Sequence, residues 1–148
     1  MKIGILIPTR GDRKELLLYA LRQMDRQTRK PDMIELVDDA PLNGDKDITW
    51  RYRLGCERIF SKGADVVFLI EDDDWYSPDY IETMMNKWEE SGKPGIFGIE
   101  ETTYYHLGLR SFQHEVHKGR ASALQHQDNN LILRELLHFQ ILDMLLQM

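Results

Sequence analysis

The apolar run Val66-Val67-Phe68-Leu69-Ile70 passes without a break into four carboxylates, Glu71-Asp72-Asp73-Asp74, and no other feature of the chain restricts its fold as much. Apolar residues at every position, with no polar alternation, suit a strand covered on both faces, as at the centre of a parallel sheet flanked by helices. The β-branched and aromatic content favours the extended backbone. Adjacent carboxylates disfavour one another's ionisation, so four in a row belong at a strand end where solvent or a cation can reach them.

Two earlier segments repeat this arrangement. Residues 3–7 are apolar on both strand faces and are closed by Pro8, which lacks the N–H that a strand ladder needs, and residues 33–37 run into Asp38-Asp39-Ala40-Pro41. Helical periodicity fills the intervals. Leu17, Leu18, Leu21 and Met24 predict a helix over residues 14–27 with Asp12 as its N-cap. A second helix is expected from about residue 47 to 62, stopped by Gly63, and a third opens with Ser77 as N-cap and Pro78 at its first turn, ending near Ser91-Gly92. Residues 96–105 read as a fourth strand, residues 125–130 as a loop and residues 131–148 as a helix.

Strand and helix in alternation imply right-handed crossovers and a mostly parallel central sheet, so the expected fold class is α/β, a Rossmann-like three-layer sandwich. In such sheets ligands bind beyond the carboxyl ends of the strands. Pro8-Thr9-Arg10, Asp38-Asp39 and the run from Glu71 to Asp74 are therefore expected to line one crevice.

A chain of 148 residues is read as a single domain. Its net charge of -6 argues against a nucleic-acid partner, because phosphate-backbone binding needs clustered Lys and Arg. Cys56 is the only cysteine, which excludes an intrachain disulfide and fits a reducing, cytoplasmic setting. No run approaches the roughly 20 apolar residues of a membrane span, so any membrane contact is expected to be peripheral.

The carboxylates of Glu71, Asp72, Asp73 and Asp74 suit a hard divalent cation, Mn²⁺ or Mg²⁺, which takes one or two carboxylates and completes its shell with water and substrate phosphates. A solvated acidic turn ahead of the third helix is the plainer reading. Asp38 or Asp39 can accept hydrogen bonds from a ribose or base, or can form a turn into Pro41. Thr9, Arg10 and Arg13 stand where a helix start and guanidinium groups can meet a nucleotide. Trp75 and Tyr76 either wall the acidic site or anchor packing. His114 and His117 read as part of a polar surface loop. The chain contains no phosphate-loop lysine motif, no Gly-x-Ser-x-Gly elbow and no His-Glu-x-x-His helix.

Ile5-Leu6-Ile7-Pro8-Thr9-Arg10, Leu36-Val37-Asp38-Asp39-Ala40 and Phe68 through Tyr80, in that order and spacing, resemble glycosyltransferase family 2 and its GT-A relatives. The resemblance spans residues 1–105, a nucleotide-sugar-binding core, and leaves residues 106–148 as an atypical extension of a shortened family member. It implies a metal-dependent transfer of sugar from a nucleoside-diphosphate sugar to an acceptor hydroxyl, with inversion. By position Pro8, Thr9 and Arg10 border the base, Asp38 or Asp39 holds base or ribose, and Asp72 lies beside the donor, while Arg13, outside the matched residues, either joins the nucleotide site or is a solvated surface side chain. Glu71 and Asp73 form the ends of the Asp-x-Asp pattern, and Asp73, with Asp74 and Glu71, is the implied metal ligand.

The sequence departs from the family in two places. Tyr52-Arg53-Leu54-Gly55 stands where members carry Arg-Asn-x-Gly, and Glu71 replaces the more usual Asp. Neither Glu100 nor Glu101 matches the family's catalytic base, so the base is unassigned, and His117-Lys118-Gly119-Arg120 offers a cationic flap for the diphosphate. The acceptor, whether glycan, lipid or protein, is unspecified, and the apolar residues between Leu131 and Leu146 suit core packing or a homo-oligomer contact. Two alternatives stand beside the transferase: a non-catalytic nucleotide-sugar-binding module, and another metal-dependent enzyme such as a nucleotidyltransferase or a toprim-like nuclease.

Overall fold

The computed structural model describes residues 1–40, 47–98, 101–106, 109–116 and 124–126. Along the chain these form β1 (Ile3–Pro8), α1 (Lys14–Asp25), β2 (Met33–Val37), α2 (Asp47–Ser61), β3 (Val66–Leu69) and α3 (Tyr80–Glu90), followed by β4 (Ile96–Phe97), β5 (Glu101–His106), β6 (Ser111–Val116) and β7 (Leu124–His126). The protein is α/β. Its main sheet has the order β2-β1-β3-β7-β4, and β5 and β6 form a separate antiparallel pair.

Strand β1 lies between β2 and β3 and is parallel to both, with Pro8 beside Val37 and Leu6 beside Leu69. Every residue of β1 is buried. The pleat sends Ile3, Ile5 and Ile7 to one face, where they meet Met24 of α1 and Ile81, Met84, Met85 and Trp88 of α3. Leu6 goes to the other face and packs with Cys56 and Ile59 of α2 and with Val67. A strand apolar at successive positions is thus covered on both sides, as expected from its lack of alternation. Strand β3 is third of five, at the sheet centre.

Close approach of α2 to the sheet depends on Gly55, where an added methyl would overlap Leu6 and Val37. Gly63 ends the helix segment with φ 88°, a conformation that favours glycine, and its N–H donates to the Phe60 carbonyl at 2.8 Å.

Four expectations are corrected. Helix α1 has Arg13, not Asp12, at its N-cap, without a side-chain capping bond, while Asp12 pairs at 3.6 Å with Arg10. Helix α3 begins at Tyr80 with Asp79 at the N-cap; the Ser77 side chain hydrogen-bonds Asp79, and its carbonyl closes a turn by accepting from the Tyr80 N–H at 3.1 Å. The single strand expected over residues 96–105 is divided between β4 in the main sheet and β5 in the second one. Glu101-Thr102-Thr103-Tyr104-Tyr105-His106 lacks the uninterrupted apolar run that marks the covered strands β1 and β3. Finally, two segments read as loop are strands: His114 lies in β6, opposite Thr103, and Gln125 and His126 lie in β7, which satisfies backbone edges of both β3 and β4. The helix expected over residues 131–148, the oligomer contact assigned to it and the His117–Arg120 flap lie outside the described residues.

Gly55→Ala is expected to lower unfolding stability by about 1–3 kcal/mol, through overpacking against Leu6 and Val37. Urea denaturation with an unchanged m-value would measure it.

Candidate functional site at the carboxyl edge of the sheet

Because β1, β2 and β3 are parallel, their carboxyl ends reach the same edge. The chain leaves β1 through α1 to β2 on one side, then returns through α2 to β3 on the other. The switch in direction therefore falls between β1 and β3, where a crevice opens in sheets of this kind. The ladder continues past the strands, with the Thr9 N–H donating to the Val37 carbonyl and the Ile70 N–H to the Leu6 carbonyl, both at 3.0 Å. Segments 8–10, 38–39 and 71–74 thus begin along one rim.

Arg51 braces this rim from below. It is 5% exposed, its Nε pairs with Asp47 at 2.7 Å, and its Nη1 donates to the carbonyls of Thr9 at 2.6 Å and Val37 at 2.9 Å. These contacts join the ends of β1 and β2, satisfying the Thr9 carbonyl and giving the Val37 carbonyl a second donor beside the Thr9 N–H. The inward arginine of α2 is therefore Arg51, while Arg53 is exposed. An Asp47–Arg51 spacing of four was readable as a helical ion pair, but the reach of the guanidinium to two backbone carbonyls was not.

Asp72 is 1% exposed, and Arg13 Nη2 lies 2.7 Å from its Oδ1 without the alignment of a hydrogen bond. Among the described residues neither carboxylate oxygen of Asp72 has a hydrogen-bond partner. Arg13 Nη1 donates to Asp73 Oδ2 at 2.5 Å. One guanidinium from the start of α1 therefore bridges two members of the acidic run.

Glu71 and Asp74 reach solvent, yet both titrate above the ordinary carboxylate range. Partial desolvation is the main cause for each, and neighbouring charge adds to it, from Asp74 and Asp73 on Glu71 and from Asp73 on Asp74. A hydrogen bond with Tyr52 pulls Glu71 the other way and helps to push the Tyr52 hydroxyl upward, where burial is the larger influence. The Glu71 N–H donates to the Tyr76 hydroxyl at 3.0 Å.

At the second strand end, Asp39 is engaged by Arg58, whose Nη1 and Nη2 donate to its two oxygens at 2.6 and 3.2 Å. That hydrogen bonding holds Asp39 below the usual carboxylate range. Arg58 also faces Glu35 at 3.8 Å, and Glu35 pairs with Lys62. Asp38 is exposed beside them. Of the two aspartates considered for the nucleoside, Asp38 is the one whose carboxylate remains open at the rim. Thr9 and Pro8 are buried, and Arg10 points to solvent.

Among the described residues no three side chains of His, Cys, Asp or Glu converge as a ready-made metal group. The donor set nevertheless fits a hard cation that brings its other ligands with it. The oxygens are all carboxylates, those of Asp72 lack hydrogen bonds, and Glu71 and Asp74 face neighbouring negative charge. In comparisons with known proteins, neither a protein-family model nor a curated sequence matches the chain.

Arg13→Ala leaves the buried Asp72 carboxylate without its counter-ion and is expected to cost about 3 kcal/mol of stability. Adding Asp72→Asn should recover much of that loss, and a double-mutant cycle by chemical denaturation measures the coupling. For Glu71, a folded-state pKa above the unfolded value means that its protonated form favours folding, a contribution lost as pH rises through the folded pKa. Glu71→Gln should therefore gain stability over the native protein as pH is raised from about 4 to about 7, as thermal unfolding across that range would report.

Proposed function

We infer that the protein is a GT-A-type, metal-dependent glycosyltransferase that uses a nucleoside-diphosphate sugar as donor and a hydroxyl group as acceptor. The observation that carries this reading is the gathering of three strand ends at one edge, with the acidic run facing the start of α1 across the β1/β3 switch point. The order of the motifs, from Pro8-Thr9-Arg10 through Asp38-Asp39 to the Glu71–Pro78 segment, supports the same reading.

In this reading Arg10 and Asp38, exposed at the rim, border the nucleoside, and Asp73, with Glu71 and Asp74, would hold Mn²⁺ or Mg²⁺. The bound metal would neutralise charge that develops on the departing diphosphate. Arg13 holds Asp72 and Asp73 in place and keeps a cation beside them, so the run stays folded before donor arrives. Tyr52, from α2, fixes the side chain of Glu71. A cytoplasmic location belongs to the same reading and rests on the single cysteine. No described helix is long and apolar enough to cross a membrane.

A thermal-shift panel of nucleoside diphosphates and their sugars, with and without Mn²⁺, tests the proposal. Stabilisation is expected for one base, and only with metal, since a ligand that binds the native state raises its melting temperature according to its affinity. Asp73→Ala should abolish that metal-dependent shift, and an undiminished shift would remove Asp73 from the site. Release of nucleoside diphosphate from the matching donor is the expected activity; binding without release would make the protein a donor-binding module instead.

A further inference from the structure

The acidic run lies in a connection, residues 70–79, that has neither helix nor strand to fix its backbone. Its order comes from the end of α1 and the residues that follow it. Gln23, in the last turn of that helix, and Gln27, just past its end, are 7% and 2% exposed, an unusual burial for glutamine. Gln23 Nε2 donates to the Asp74 carbonyl at 3.0 Å, and Gln23 Oε1 accepts from the Tyr76 N–H at 2.7 Å. Gln27 repeats this one turn on, with Nε2 donating to the Ser77 carbonyl at 2.7 Å and Oε1 accepting from the Ile81 N–H at 2.9 Å. Gln27 Nε2 also donates to the Gln23 carbonyl at 3.3 Å.

Each primary amide presents a donor and an acceptor side by side, as a peptide group does, so the two side chains serve the connection as a neighbouring strand would. The pairing begins at Asp74, within the acidic run itself. We propose that Gln23 and Gln27 are positioning residues that set where the carboxylates of Asp73 and Asp74 stand, and hence the metal affinity of the site. This rests on the metal-dependent reading above. Groups that orient metal ligands from behind commonly alter affinity by about 10–100-fold when removed.

Gln23→Met keeps length and packing but loses both hydrogen bonds. Binding of Mn²⁺ alone, followed by electron paramagnetic resonance of the free ion, should weaken by about tenfold in this variant, and likewise in Gln27→Met. Gly4→Ala, which crowds Ile59 and Ala64 in the opposite layer, is a control that lowers stability without touching the connection and should keep the native Mn²⁺ affinity. Hydrogen exchange supplies a second readout: the Tyr76 and Ile81 amides should be protected in the native protein, and the Tyr76 amide should lose protection in Gln23→Met.

Unchanged Mn²⁺ affinity in both glutamine variants would overturn the proposal while leaving the metal reading intact, as would a Tyr76 amide that exchanges freely in the native protein. A native protein that takes up no Mn²⁺ would overturn the metal reading and, with it, the purpose assigned to the two glutamines. An equal loss of affinity in Gly4→Ala would mean that stability, not positioning, governs binding, and would also overturn it.

Discussion

Strand β1 is buried on both faces and hydrogen-bonded along both edges, and the shared carboxyl edge of the sheet exists because of it. Its parallel pairing with β2 and β3 compels all three chains to exit on one side. Its side chains hold α1 and α3 to one face and α2 to the other. Deep burial also forces the backbone that emerges at Pro8 to find new partners at once. Those partners, Val37 and Arg51, make the first part of the rim rigid.

The rim is built mainly from electrostatic pairs, and these are uneven. Arg58 engages Asp39 with two donors, and Arg13 bridges Asp72 and Asp73, yet Glu71 and Asp74 keep carboxyl groups that resist ionisation. A fully matched set of charges would have served stability better. In the metal-dependent reading proposed above, that remaining negative charge is what a bound cation would neutralise.

Much of the core was legible in the sequence because it is governed by period. Uninterrupted apolar runs at residues 3–7 and 66–70 identified the two covered strands, and Leu17, Leu21 and Met24 marked the inner stripe of α1, whereas Leu18, read with them, is exposed. The rim's composition was also visible, since carboxylates follow both β2 and β3 directly. Pairings across long separations were not. Nothing in the local sequence of Arg13 indicates Asp72, nor does Gln23 indicate Asp74, because such contacts follow from how α1 lies over the sheet. Helix starts were misjudged where the expected capping group was used elsewhere, as with Ser77. Strand β7 escaped notice because a three-residue segment with one apolar side chain has little propensity of its own and forms through its neighbours.

That late strand bears on how the protein is made. During synthesis β1, β2 and β3 can assemble as soon as residue 69 is free, but the outer border of β3 obtains its antiparallel mate only when residues 124–126 emerge. For the intervening fifty or so residues of translation the most apolar strand of the chain presents unpaired peptide groups, the kind of border to which foreign strands attach. Strand β7 thus closes that border of β3 from a segment well downstream in the chain.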